Sequence, residues 1–173
     1  DIVLVGDSMA NVLYGHKNTH KINLENIIQH TKSVKMGIKK SLLVVDLPKG
    51  TYKNAKTAEK NAKLVCKKTG CDAVKLESYK NNFRIIKKLV KKKIPVMGHI
   101  GYTPQFKKKF KIEGQKKSEI KKLLNEARLI EKAGAFSIVL ECISSKAARI
   151  ITNNVNIQDN YENNFKTGFP DFQ

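Results

Sequence analysis

The sequence predicts an α/β fold of the (β/α)8 TIM-barrel type, with parallel strands and about five βα units, so the barrel it describes is incomplete. One observation is the opening run, Ile2 to Val5, a continuous aliphatic stretch suited to a strand buried on both faces, which breaks off at Gly6, Asp7 and Ser8. A second is its recurrence: LLVVD ends at Asp46, AVKLE at Glu77, IPVMGHIG carries His99 near its end, and FSIVLE ends at Glu141. A third is that helical stretches of crossover length separate the runs, as parallel neighbours require. In such a fold the carboxyl ends of the strands share one face, so polar residues far apart in sequence meet there.

Each element follows from local pattern. Residues 9–14 suit a short helical turn, and a polar loop with His16 and His20 follows. Leu24, Ile27, Ile28, Thr31 and Val34 fall at helical spacing up to Gly37. The second strand ends at Asp46, where Pro48 and Gly50 force a loop. A third helix over 57–68 buries Ala58, Ala62 and Val65 and closes on Gly70. A fourth over 82–92 turns Phe83, Ile86, Leu89 and Val90 inward, and Pro95 introduces the fourth strand. The loop GYTPQFKKKFKIEGQ is long and polar, a length that commonly carries function. Ser118 is the expected N-cap of a fifth helix over 118–133. The barrel portion is assigned to 1–151. The Asn-rich stretch 152–173 is assigned as a polar irregular tail, which leaves an open five-stranded sheet with its first and fifth strands exposed at the edges.

The chain has 173 residues, 40% of them hydrophobic, which suffices for one domain with a core. A complete barrel takes about 250 residues. That shortfall, and a strand entered at the first residues, lead to the expectation that the sequence is a segment of a longer one. A formal charge of +19, from 34 Lys and Arg against 15 Asp and Glu, raises a basic polyanion-binding protein as an alternative. The lysines, however, gather on helix positions 87–93 and in the loop 107–111, the pattern of a solvated basic surface rather than a specific nucleic-acid face. Cys66, Cys71 and Cys142 show no CxxC spacing, which fits a reducing compartment without structural zinc. No apolar run reaches the ~20 residues of a membrane span. The expected location is cytoplasmic.

Asp7, Asp46 and Glu77 are carboxylates at three successive strand ends. Hard oxygen ligands so grouped suit Mg²⁺, and the same groups could instead cap loops or pair with lysines. Lys75 lies two residues before Glu77 and points to the same side; it needs an anionic partner, either a substrate carboxylate or one of these acids. Glu141 ends an apolar strand, where partial burial is expected to raise its pKa toward neutrality, as a general base requires. His99 could donate to a substrate oxygen or be a packed core histidine. Cys142 reads as core.

The ordered set VGDS (5–8), DLP (46–48), VKLE (74–77), GHIGYTPQ (98–105) and VLEC (139–142) resembles the motifs of the ketopantoate hydroxymethyltransferase family. The resemblance covers about 1–151. It implies a (β/α)8 barrel that moves a hydroxymethyl group from 5,10-methylenetetrahydrofolate to 3-methyl-2-oxobutanoate, giving ketopantoate for pantothenate biosynthesis. It implies Mg²⁺ held by Asp7 and Asp46 with Glu77 in or near that shell, Ser8 and Lys75 on the substrate, Glu141 as base, and His99 in the polar network. It also implies a homo-oligomer of the full-length protein; from the charge distribution and the apolar runs, no specific nucleic acid and no membrane are expected as partners. A related alternative is the isocitrate lyase and phosphoenolpyruvate mutase type of Mg²⁺ ketoacid enzyme, which GHIGYTPQ and VLEC match less well. Two departures stand out: Ser78 and Tyr79 occupy positions where glycines are usual, and 106–110 is rich in lysine. A strand before VGDS and a Gly-rich strand after the helix containing Ala147 to Ile151 are absent from the expected set.

Overall fold

In the computed structural model, which describes residues 2–79 and 82–161, six parallel strands form one sheet whose spatial order is the chain order. They are β1 (Ile2–Val5), β2 (Leu42–Asp46), β3 (Ala73–Glu77), β4 (Val96–Gly101), β5 (Ser137–Glu141) and β6 (Gln158–Tyr161). The helices are α1 (Met9–Val12), α2 (Leu24–Gly37), α3 (Ala55–Thr69), α4 (Phe83–Lys91), α5 (Lys117–Lys132) and α6 (Ser145–Thr152). An order that never reverses direction is that of a barrel wall, not of a doubly wound sheet with its switch point.

Side-chain alternation divides each strand between two environments. Leu43, Val45, Val74, Leu76, Val96, Ile100, Ile138 and Leu140 face the helices and join Ala58, Ala62, Val65, Ile86, Leu89 and Ile130 in the main core. The opposite, inward face carries a thinner apolar layer of Val44, Ala73, Met97 and Val139, with Ile2 and Phe136 packed against it. Two residues further along the same strands, the same face presents Asp46, Lys75, His99 and Glu141. Register staggers them along the wall: Asp46 is level with Lys75, His99 with Glu77 one step further along β3, and Glu141 with Gly101 one step further along β4.

The structure corrects three expectations. First, β5 is not an edge, because β6 pairs with it from Ser137 and Gln158 to Leu140 and Tyr161. The strand lies inside the segment assigned as irregular tail and contains no glycine. Second, α5 begins before Ser118, which sits in its first turn. Glu119 supplies the cap instead, accepting from the Gln115 N–H at 3.0 Å and, more weakly, the Lys116 N–H at 3.5 Å. Third, Cys142 is half-buried rather than core, with a left-handed φ of 51°. Residues 162–173 of the expected tail lie outside the described residues. Among the described residues no helix is long and apolar enough to cross a membrane.

Candidate active site

Each strand delivers its terminal polar residue to one place. Asp7 and Ser8 follow β1, Asp46 closes β2, Lys75 and Glu77 end β3, and Glu141 ends β5; all six line a single cleft of about 390 Å³. His99 lies beneath it, fully buried, with Nε2 3.1 Å from Glu141 Oε2 and Nδ1 3.9 Å from Glu77 Oε1. Every residue singled out in the sequence is thereby brought together. Ser8 is exposed at the rim, whereas Asp7, Asp46, Lys75 and Glu77 are buried.

Burying so many charges makes the site electrostatically tense. Lys75 Nζ contacts Asp46 Oδ2 at 2.7 Å, so the lysine has an internal anionic partner. Burial opposes the lysine's charge, yet the field of Asp46 and the hydrogen bond to it help to outweigh this and hold the ammonium above its ordinary pKa. Asp7 is pushed up to about 7, chiefly by burial and next by the charge of Asp46. Burial pushes Glu77 up to about 9 against the pull of Lys75, so at neutral pH this carboxyl is protonated. His99 is shifted down by burial and by Lys75, which leaves a neutral ring.

Glu141 departs from expectation. Burial raises it, but contact with His99 and the field of Lys75 outweigh that, and its pKa lies below the ordinary value. Glu141 is therefore an ionised carboxylate, ready to accept a proton but of modest basicity. A carbon acid would have to be acidified by its surroundings before such a base could serve.

Gln105 escaped the sequence reading. It is wholly buried, and its side-chain amide donates to Asp7 Oδ2 at 3.0 Å and to the Leu47 carbonyl at 3.1 Å. Its backbone N–H donates to Glu77 Oε2 at 3.1 Å, and its Oε1 accepts from the buried Tyr52 hydroxyl at 2.5 Å. One neutral residue thus ties together the ends of β1, β2 and β3. Its signals in the sequence are its place in the loop directly after β4 and at the end of the motif GHIGYTPQ, neither of which assigned it a role.

Among the described residues, no three His, Cys, Asp or Glu side chains are grouped to hold a metal ion, so the expected three-carboxylate set is not assembled as a cage. Asp7 and Asp46 nevertheless suit Mg²⁺ as a pair. The charge of Asp46 raises Asp7, both line the cleft, and Asp46 Oδ1 is buried without a hydrogen-bond partner. One or two carboxylates, completed by water and substrate oxygens, is the donor set that Mg²⁺ favours. Glu77 lines the same cleft, with Oε2 accepting from the Gln105 N–H.

The family model described as ketopantoate hydroxymethyltransferase matches residues 1–158. The chain belongs to the ketopantoate hydroxymethyltransferase family. Over 157 residues it is 52% identical to the 3-methyl-2-oxobutanoate hydroxymethyltransferase of Pelagibacter ubique, covering 91% of this chain and 61% of that protein. To the protein of the same name from Pyrococcus furiosus it is 40% identical over 162 residues, covering 91% and 56%. The chain therefore spans about six-tenths of the length of the curated relatives it matches. Among solved structures it is similar to 2,3-dimethylmalate lyase, a member of the PEP mutase/isocitrate lyase superfamily, with a TM-score of 0.65 at 14% identity over 90% of this chain and 56% of that one. It is also similar to a putative phosphonomutase from Burkholderia cenocepacia, with a TM-score of 0.69 at 10% identity over 92% and 68%. At such identities the likeness concerns the barrel fold. The two departures from the ketopantoate hydroxymethyltransferase motifs meet in space, where the Tyr79 ring stacks on Phe106 of the lysine-rich loop, centroids 4.3 Å apart.

Proposed function

We propose that this chain carries the ketoacid site of a 3-methyl-2-oxobutanoate hydroxymethyltransferase, a cytoplasmic enzyme of pantothenate biosynthesis that takes its one-carbon unit from 5,10-methylenetetrahydrofolate. The supporting observation is the convergence of Asp7, Asp46, Lys75 and Glu141 on one cleft at the strand ends. Asp7 and Asp46 would hold Mg²⁺, and the metal, when bound, polarises the keto oxygen of the substrate and acidifies its C3 proton. Lys75 supplies a fixed positive charge beside the bound carboxylate. Glu141 then removes the C3 proton, and the carbon so released attacks the one-carbon unit of the folate. The modest basicity of Glu141 is sufficient only for an acidified carbon, which agrees with a metal-assisted step. His99 packs against Glu141 and fixes its orientation, while the neutral carboxyl of Glu77 adds no negative charge beside the developing enolate. Ser8, exposed at the rim, would meet the substrate as it enters.

Proton abstraction can be followed without folate. With Mg²⁺ in deuterated water, the chain should exchange the C3 hydrogen of 3-methyl-2-oxobutanoate, and Glu141→Gln should slow that exchange by about 10² to 10⁴. Exchange at the solvent background in the unaltered chain would refute the proposed activity. Exchange at the wild-type rate in the variant would remove Glu141 as the base.

A further inference from the structure

At the end of β3 opposite the cleft, two cysteines meet. Cys66 lies in the last turn of α3 and Cys71 just before β3; both are half-buried, and their sulfurs are 3.7 Å apart. The helix end brings them together. Gly70 takes a left-handed conformation, φ 63° and ψ 29°, and donates its N–H to the Cys66 carbonyl at 2.9 Å. This termination folds the residue after the glycine back over the last turn, where an apolar contact usually forms. Here both partners in that contact carry a thiol.

We infer that Cys66 and Cys71 form a dithiol site that exchanges with low-molecular-weight disulfides, of the glutathione disulfide type, and closes to an intramolecular disulfide. The sulfurs need to approach by only roughly 1.6 Å to reach the ~2.05 Å of a covalent bond. The pair also divides its protons unequally. Contact with the Cys66 sulfur brings Cys71 down to about 7 against burial, with help from Thr69, whereas Cys66 is pushed up by that same contact and by burial. Cys71 is therefore the attacking thiolate.

Its attack breaks the sulfur–sulfur bond of the glutathione disulfide, releases one glutathione thiolate and leaves a mixed disulfide on Cys71. With the Cys71 charge consumed, the influences that kept Cys66 protonated disappear. Cys66 loses its proton and attacks the Cys71 sulfur, displacing the second glutathione. The protein pair loses two electrons and two protons, and the disulfide reagent is reduced to two thiols. Cys142, at the far end of β5, takes no part. None of this rests on the activity proposed above.

The test treats the native chain with oxidised glutathione, traps the remaining thiols by alkylation and maps the peptides by mass spectrometry. The expected product is a Cys66–Cys71 cross-linked peptide that retains no glutathione, with Cys142 alkylated. In Cys66→Ser the glutathione should remain on Cys71 as a mixed disulfide, because the resolving thiol is gone. The inference fails if glutathione persists on Cys71 in the unaltered chain or if Cys142 reacts first. It fails equally if the native thiols resist while those of the urea-unfolded chain react.

Discussion

The proton on Glu77 is a claim that pH can test. Its pKa is about 9 in the folded chain against an ordinary 4.5, so between those values the folded state retains a proton that the unfolded state has released. Stability from this group is full below the lower value and is lost as pH rises toward the upper one. Asp7, raised from 3.8 to about 7, acts in the same direction over a lower window. In chelator, the thermal midpoint should fall from about pH 5 to about pH 9, and Glu77→Gln should flatten the fall. Equal slopes in the two proteins would mean that Glu77 holds no proton. Gln105 bears on the same cluster. Gln105→Leu leaves the Tyr52 hydroxyl and Asp7 Oδ2 buried without the partner each has now. It should cost about 1–3 kcal/mol in denaturant unfolding, and an unchanged midpoint would show that the amide is dispensable. The ionisable residues were legible in the sequence because a charge closing an apolar strand stands out. Gln105 was not, since a neutral amide in a polar loop has no contrast with its neighbours. The direction of the Glu141 shift was hidden too, because it depends on His99, forty-two positions earlier, lying beneath it.

At the scale of elements, the first five strands were readable because a strand buried on both faces shows as an unbroken apolar run. β6 was not, since QDNY has no such run, and it becomes a strand by pairing with the otherwise open side of β5. The start of α5 was misread for a similar reason: Ser118 is a good cap by type, but Glu119 reaches back over the turn and takes the role. The joint between β4 and β5 depends on Gly101. Its φ is 94°, and a Cβ there would lie 2.1 Å from the Glu141 carbonyl oxygen. Gly101→Ala therefore has to push the end of β5 away and adopt a strained backbone, at a cost of about 1–3 kcal/mol. Because Glu141 is on the displaced strand end, this variant should lose C3 exchange more than overall stability. Full exchange activity in a folded Gly101→Ala protein would show that the close approach has no bearing on Glu141.

For the whole molecule, the unfinished business of the barrel lies on its inward face. In a closed barrel, layers of side chains from strands across the interior cover that face. Among the described residues, β1 pairs only with β2, and the inward-facing Leu4 and Leu42 remain 37% and 46% exposed. Apolar surface beside an unpaired strand edge favours association with a second copy. The charge of +19 opposes it, because like-charged copies repel over distances that salt controls. The two forces predict opposite salt responses. Association through the apolar face should strengthen as salt screens the repulsion, whereas binding to an arbitrary polyanion should weaken. Light scattering should accordingly show a particle size that grows with protein concentration, and grows further at high salt. Leu42→Lys, on the inward face and already half in solvent, should reduce that growth while leaving the thermal midpoint nearly unchanged. A size independent of concentration at high salt would mean that the inward face is covered, and a variant that associates as strongly as the parent would place the contact elsewhere on the molecule.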